Sequence, residues 1–520
     1  MRSFGKTVSL SPMSDVLSQL FEEVPKAKSE IYAVGEQTPL ESLPLDKDYD
    51  VCIKREDLGP INAYKWRGGY NAVLNHHKKT GCDVIVAASA GNHAQGVALA
   101  AKKLKIQAKI FMPLAAPLMK QNAVKRHGGE YVELILTGDT YNEAGDAAKA
   151  YVKEHGHTYI HPFDDIYTMA GQAMIADEII EQSDSPFDYA FLQIGGGGMA
   201  GAVSAWLKKC WPDIKIIGVE GTKQASMKAS VEAGKPITLE KVDTFCDGTA
   251  VTRPGDLTFE VCKQTIDEFV TVSNEEVSAA IQQLWDARRV IPEPSGAMGL
   301  AGLNQYAQNH ETDLKGKKVL TILCGANMDF SKLSLIASKS AVGANRRRYY
   351  SVKLPEGKGS LLKILETHFQ NLNVSEFLYG KIHESDAWQT IAIDATDKEF
   401  KALETNFQND GITFKDITLS EDIRYKIINY NPSLFRDPVF MNVRFPERKG
   451  ALRDFLRTIS NHASICYFNY AYSGEAIGRA LMGFEFENDD QKRLFLSVIE
   501  ETNTSCQLID QDTQKRILKH

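Results

Sequence analysis

The sequence predicts an α/β body built on parallel sheets with flanking helices, followed by two smaller α+β units. Three observations carry that reading. From about residue 50 to residue 330, short apolar runs alternate with stretches of helical periodicity, the mark of parallel strands joined by helical crossovers. Beyond Arg348 the texture changes to alternating strands. In that second region a motif returns after 91 residues, Pro355-Glu-Gly-Lys-Gly-Ser-Leu361 against Pro446-Glu-Arg-Lys-Gly-Ala-Leu452. Leu365, Phe377 and Tyr379 are matched by Leu456, Phe468 and Tyr470 at the same offset.

Within the body, 83–88, 106–112, 188–194, 214–219 and 318–323 are short apolar runs bounded by polar residues, and read as buried strands. Between them 93–103, 141–154, 167–181 and 273–288 carry helical periodicity. Each repeat opens with a strand, 350–354 or 439–445, and continues into a helix starting at Lys358-Gly359 or Lys449-Gly450. Alternating runs such as 390–393 and 481–486 follow, which gives a βαββαβ order in each copy. Asn431-Pro432-Ser433 falls in the linker between them. The expected boundaries are 1–345 for the body, then 350–424 and 438–511 for the repeats.

The chain has 520 residues, 43% hydrophobic and 24% charged, a composition of soluble multidomain proteins. Sixty basic against 67 acidic residues leave a formal charge of −7, so no net attraction to nucleic acid or anionic lipid follows. Arg346-Arg347-Arg348 reads as a solvated linker. Eight cysteines with neither CxxC pairs nor zinc spacing argue for a reducing compartment and against a disulfide framework or a metal site. No apolar run nears the roughly 18 residues that a membrane span requires, and the N-terminus lacks an apolar h-region. A cytoplasmic protein without nucleic-acid or membrane partners is expected.

Gly195, Gly196, Gly197 and Gly198 directly follow a strand and precede a helix opening at Met199. Backbone without Cβ atoms can crowd a ligand, and the helix start offers free N–H groups and a positive dipole end. The loop therefore reads as an anion cradle, most naturally for a phosphate. It lacks the trailing Gly-Lys-Ser of a P-loop and the spaced glycines of dinucleotide binders, which disfavours ATP and NAD. Ser89-Ala-Gly-Asn-His93 repeats the geometry, and its N–H groups with Ser89 and Asn92 suit a carboxylate or a ring hydroxyl. A plain helix N-cap is the competing reading. Lys65 sits among Tyr64, Trp66 and Tyr70, surroundings able to desolvate an amine and ready it for a Schiff base with a carbonyl cofactor. A solvated surface lysine is the alternative there.

Together, Tyr64-Lys-Trp-Arg-Gly68, Ser89–His93, Gly195–Gly198 and Gly325-Ala-Asn327 resemble the signature set of the fold-type II pyridoxal-phosphate enzymes. This is the tryptophan-synthase-β-like group, which includes serine and threonine dehydratases. Thr38-Pro-Leu40, Gly128-Gly-Glu130, His161-Pro-Phe-Asp164 and Glu293-Pro-Ser-Gly-Ala297 match in order, so the likeness covers about residues 15 to 335. The repeats resemble ACT-like regulatory domains of ferredoxin-like fold, and the whole chain is similar to the biosynthetic threonine dehydratases. The resemblance implies pyridoxal 5′-phosphate joined to Lys65, with its phosphate on Gly195–Met199, its 3′-hydroxyl on Asn92, and Tyr64 in the same cofactor site. It also places Cys324 against the pyridine nitrogen, a neutral partner that leaves a weaker electron sink suited to β-elimination. Lys65 and Ser89 would be the catalytic residues, Ser89 docking the substrate carboxylate with Asn92.

The implied reaction is deamination of L-threonine to 2-oxobutanoate and ammonia, the first committed step of isoleucine biosynthesis. Isoleucine, opposed by valine, would act through the repeats, and the implied assembly is a homotetramer. Ala63, where Ser or Thr is usual, Gln172-Ala-Met174 in place of Gln-Gly-Thr, and Thr252 where Ala-Val-Lys is frequent depart from the family pattern. They leave L-threonine against L-serine open. The alternatives are a serine dehydratase, racemase or β-replacement synthase of the same fold, a non-catalytic amino-acid sensor, and a nicotinamide dehydrogenase using Glu220 for a ribose.

Overall fold

The computed structural model describes residues 15–518, apart from positions 356, 358, 371, 421–422, 424–425, 436, 447–450, 460–461, 472–476 and 502–504. Lys358, Lys449 and Gly450, where the repeat helices are expected to open, lie outside the described residues. The chain divides into two compact units between Gly343 and Ala344.

The first unit carries β1 (Leu40–Ser42), β2 (Asp50–Arg55), β3 (Val84–Ala88), β4 (Gln107–Met112), β5 (Val132–Leu136), β6 (Thr158–Tyr159), β7 (Tyr189–Gln193), β8 (Lys215–Gly221), β9 (Glu268–Val272) and β10 (Lys318–Leu323). Two sheets result, in the orders β1-β2-β10-β7-β8-β9 and β5-β4-β3-β6. Every pairing is parallel except β1 with β2. Strands such as β7 and β10 are buried almost end to end, as a parallel sheet covered by helices on both faces requires. The five strands legible as apolar runs form β3, β4, β7, β8 and β10, with ends within about two residues of those expected.

β2 escaped that reading because Lys54 and Arg55 break its apolar run. Lys54 is nevertheless fully buried, together with Glu56, Arg67 and Glu178. The Arg67 guanidinium donates to Glu56 Oε2 at 2.8 Å and to Glu178 Oε1 at 2.5 Å, while Lys54 Nζ donates to Glu178 Oε2 at 2.7 Å. Two cations and two carboxylates thus neutralise one another, the condition under which charge is tolerated in an interior. The cluster ties β2 to the helices Trp66–Thr80 and Ile166–Gln182. Those helices also touch backbone to backbone: a Cβ on Gly171 would stand 2.6 Å from the Arg67 carbonyl oxygen. A Cβ on Gly96, in the helix Asn92–Leu104, would stand 2.7 Å from that of Lys65. The segment carrying Lys65 is clamped from both sides.

The second unit holds β11 (Arg347–Pro355), β12 (Asn373–Gly380), β13 (Asp386–Asp394), β14 (Phe414–Asp416), β15 (Val439–Pro446), β16 (Ser464–Ala471), β17 (Ile477–Glu485) and β18 (Ser505–Leu508). All eight join one antiparallel sheet in the order β14-β11-β13-β12-β16-β17-β15-β18. Each copy of the repeat contributes four strands and two helices in βαββαβ order, and the copies meet along β12 and β16. There Phe377 lies opposite Tyr470 and Tyr379 opposite Phe468. Residues equivalent by the 91-residue offset therefore pair crosswise, as an internal twofold axis dictates. One hydrophobic core, including Phe377, Phe400, Phe468 and Phe495, runs through both copies.

The arginine run is corrected by the structure. Arg347 and Arg348 belong to β11 instead of a solvated linker. Arg347 is only 9% exposed and binds Asp394 at 2.6 Å, and Arg348 reaches Glu404 at 3.0 Å. Their charges are spent inside the fold.

Candidate active site

Three loops at the carboxyl ends of parallel strands carry most of the predicted residues, the place where open α/β sheets bind ligands. β3 runs into Ser89–Asn92, β7 into Gly195–Gly198, and β10 into Cys324–Asn327. Lys65 lies in the turn before the helix Trp66–Thr80. The loops are connected to it. Tyr64 N–H donates to the Cys324 carbonyl at 3.1 Å, and Lys65 Nζ donates to the Pro162 carbonyl at 2.8 Å. Desolvation lowers the Lys65 amine to a pKa of about 8, partly offset by nearby Cys324 and Glu293. The ring of Tyr64 is 5.3 Å from the amine.

The glycine run is dictated by packing as well as by its expected ligand. A Cβ on Gly195 would come within 3.0 Å of Thr249 Cα, on Gly196 within 2.4 Å of the Phe163 ring, and on Gly198 within 2.8 Å of Phe163 Cβ. Gly197 has φ of +91° and adjoins Met227 and Thr258. The N–H groups of Gly195 through Met199 have no acceptor among the described residues, at the very start of the helix Gly198–Cys210. Five unspent donors at a positive helix end are what a phosphate needs.

Asn92 opens the helix Asn92–Leu104, and no side chain caps it, so the plain N-cap reading fails. The Ser89 hydroxyl instead accepts from Gly91 N–H at 3.1 Å within its own turn, and no hydrogen bond joins Ser89 to Lys65 among the described residues. A Cβ on Gly91 would meet nothing nearer than 4.0 Å, so this turn is open where the glycine loop is crowded. Asn92 donates through Nδ2 to Glu293 Oε1 and accepts from Asn327 Nδ2, both at 2.8 Å. Cys324 is buried, and burial pushes its thiol pKa up so that it stays protonated. That suits a neutral partner for a pyridine nitrogen. The donor set, the crowded glycine backbone and the desolvated amine together fit pyridoxal phosphate.

Glu220 is not available to a ribose. It accepts from the N–H groups of Met227 and Lys228 at 2.9 and 2.8 Å, capping the helix Ser226–Ala233. Sequence reasoning assigned no role to Pro162, Phe163 or Glu293, although their motifs were legible. Pro162 acts through its carbonyl and Phe163 through ring position, neither of which residue type discloses. Glu293 is only 5% exposed and has no salt bridge among the described residues, a setting that its sequence motif does not disclose.

Fold and site define a pyridoxal-phosphate enzyme of the tryptophan-synthase-β-like group, and the description "Pyridoxal-phosphate dependent enzyme" fits residues 31–325 as a family match. Residues 338–427 and 435–518 match the "C-terminal regulatory domain of Threonine dehydratase". The biosynthetic L-threonine dehydratase of Haemophilus influenzae is 37% identical over 489 residues, covering 91% of this chain and 92% of that protein. Among solved structures, processed threonine deaminase isoform 2 from Solanum lycopersicum is 38% identical with a TM-score of 0.59, covering 63% of this chain and 94% of that one. Maize serine racemase follows at 29% identity and a TM-score of 0.56, over 62% and 98% of the two chains. The chain belongs to the biosynthetic threonine dehydratase family.

Proposed function

We propose that this protein deaminates L-threonine to 2-oxobutanoate and ammonia for isoleucine synthesis, under feedback by isoleucine through its C-terminal repeats. The same reading makes it a cytoplasmic homotetramer. No helix among the described residues is long and apolar enough to cross a membrane. The observation that carries the catalytic reading is a desolvated amine, Lys65, beside a glycine turn whose N–H groups are unspent and a second turn where those of Ala90 and Asn92 have no acceptor among the described residues.

Pyridoxal phosphate, when bound, supplies a carbonyl that joins the substrate amine and a conjugated ring that takes up electrons from its α-carbon. The Gly195–Met199 N–H groups hold the phosphate. The open turn at Gly91 and Asn92 binds the substrate carboxylate, with Ser89 bracing that turn through Gly91 N–H. Lys65 Nζ, whose pKa of about 8 leaves part of it unprotonated at physiological pH, would take the Cα proton. Departure of the β-hydroxyl as water and hydrolysis then give the oxoacid and ammonia. Cys324 Sγ, held protonated, donates no charge to the ring nitrogen, which favours rapid elimination over a long-lived carbanion. Replacing Lys65 with Ala should abolish both the visible absorbance of the purified enzyme and 2-oxobutanoate formation. Retention of both in the variant would falsify the assignment.

The second unit has a cleft lined by both copies of the repeat, among them Ser360, Tyr379, Gln389, Leu456, Ile459 and Ile465. It lies at the start of the helix Ser360–Thr367, after Gly359 in the left-handed region at φ of +76°. Leu456, Ile459 and Ile465 offer an apolar wall to a branched side chain, the helix start suits a carboxylate, and Gln389 Oε1, buried with no partner among the described residues, suits an ammonium. This supports an apolar amino acid as effector.

A further inference from the structure

Glu293 immediately precedes the helix Pro294–Leu314, yet its side chain does not cap that helix. The carboxyl turns instead toward the active site, where Asn92 Nδ2 donates to Oε1 at 2.8 Å. On the other side of Asn92, Asn327 Nδ2 donates to Asn92 Oδ1 at 2.8 Å and to the Ile61 carbonyl at 2.6 Å. The Asn327 nitrogen is identified by that carbonyl, which can only accept. The atom of Asn92 facing it must therefore be oxygen, and the atom facing Glu293 must be nitrogen. Both ends of the amide give the same polarity. The oxygen and one N–H of Asn92 are spent on protein, which leaves a single Nδ2–H for a ligand.

The carboxyl is walled in by backbone: a Cβ on Gly325 would stand 2.7 Å from Glu293 Oε1 and one on Gly248 3.4 Å from it. We propose that Glu293 is a positioning residue, fixing the Asn92 amide so that its free N–H meets the ring oxygen of the cofactor, with its own ionisation setting the charge behind that bond. The proposal rests on Asn92 being the residue that binds the 3′-hydroxyl. The ionisable groups that face Glu293 are Tyr64, Lys65, Cys324, Asp247, and Lys120 from the helix Leu118–Gly128. Asp247 is itself paired with Lys120 at 2.7 Å and Lys332 at 3.6 Å, so its charge is largely compensated. Burial, with Asp247 assisting, raises the Glu293 pKa to about 7, so the group changes charge within the working pH range. Ionised, it grips the Asn92 N–H more strongly and adds negative charge beside Lys65. Protonated, it keeps only a neutral acceptor there.

The test compares wild-type holoenzyme with E293Q, E293A and N92A, reading visible absorbance against pH and cofactor Kd by fluorescence quenching. The wild type should show a spectral step with its midpoint near 7, the pKa of Glu293. E293Q, which keeps an oxygen for Asn92 but cannot ionise, should lose that step and hold cofactor within about threefold of wild type, since the hydrogen bond survives. E293A should bind cofactor roughly tenfold more weakly, the loss expected for one hydrogen bond to a charged group. A pH profile shared by wild type and E293Q overturns the proposal, and so does wild-type Kd in E293A. N92A separates this from the reading beneath it. Unchanged Kd in N92A removes Asn92 from the cofactor site altogether, whereas a weakened N92A beside an unaffected E293A sinks the Glu293 proposal alone. Should E293A fail to fold, the E293Q profile decides.

Discussion

At the scale of single residues, Lys65 behaves as chemistry demands and as composition conceals. Lysine is among the residues least often buried, and a neutral amine is required before it can attack a carbonyl. The Tyr64 ring and the Pro162 carbonyl stand beside the amine in a setting where desolvation outweighs the attraction of Cys324 and Glu293, so the amine loses its proton at about pH 8. Neutral amine predominates above that pH and ammonium below it. Capture of added pyridoxal phosphate by the cofactor-free protein should therefore accelerate with pH and level off above about 8, where a solvent-exposed lysine would still be climbing toward its ordinary pKa of about 10.4. Stopped-flow growth of the visible band, followed across that range, checks this. A rate still rising steeply beyond pH 9 would place the reactive amine in water.

Among secondary-structure elements, the junctions matter more than the elements. The helices Trp66–Thr80, Asn92–Leu104 and Gly198–Cys210 are ordinary in themselves, but each begins where an unspent N–H or a reactive side chain faces the site. The glycine loop is held by Phe163 from one side and Thr249 from the other. Gly198→Ala would drive a methyl to 2.8 Å from Phe163 Cβ and 2.9 Å from its Cα, contacts that backbone cannot relieve cheaply. We expect that variant to stay folded, to melt lower by a strain of about 1–3 kcal/mol, and to bind cofactor at least tenfold more weakly because the N–H cradle is re-aimed. Gly91→Ala, with nothing nearer than 4.0 Å to its new methyl, should leave cofactor Kd within a few fold and raise KM for threonine. Cofactor titration and steady-state kinetics on both variants tell the two turns apart. Equal effects at positions 91 and 198 would mean that phosphate and carboxylate are not handled by separate turns.

For each folded unit as a whole, the second shows how duplication builds a binding surface. Its two copies share one sheet across β12 and β16 and one core, so the cleft beside Tyr379 has walls from both copies that neither could form alone. Replacing Ile459 with Asp puts a charge into its apolar wall. We expect the isoleucine concentration for half-inhibition to rise at least tenfold, measured as 2-oxobutanoate production against isoleucine concentration. An unchanged curve would move the effector elsewhere.

How much of this was open to a reader of the sequence depends on whether a residue's role lies in its type or in its neighbours. Buried parallel strands are apolar runs whatever surrounds them, so β3, β4, β7, β8 and β10 were legible, and the repeat offset exposed the duplication directly. The glycines were legible as an anion cradle, whereas Lys65 and Asn92 became legible as cofactor residues through the resemblance of their motifs to a known family. β2 was hidden because Lys54 gains its counter-charge from Glu178, 124 residues away. Arg347 looked like solvated charge for the same reason, its partner Asp394 being supplied only by strand pairing.

The order of amino acids by itself determined the α/β body and the paired repeats, which follow from local periodicity, and its motifs pointed by resemblance to a phosphorylated carbonyl cofactor. Only the tertiary structure decided that the Lys65 amine is desolvated, which way the Asn92 amide points, and that Glu293 stands behind it. Desolvation and hydrogen-bond polarity are properties of a surrounding assembled from distant segments, and no single stretch of chain contains them.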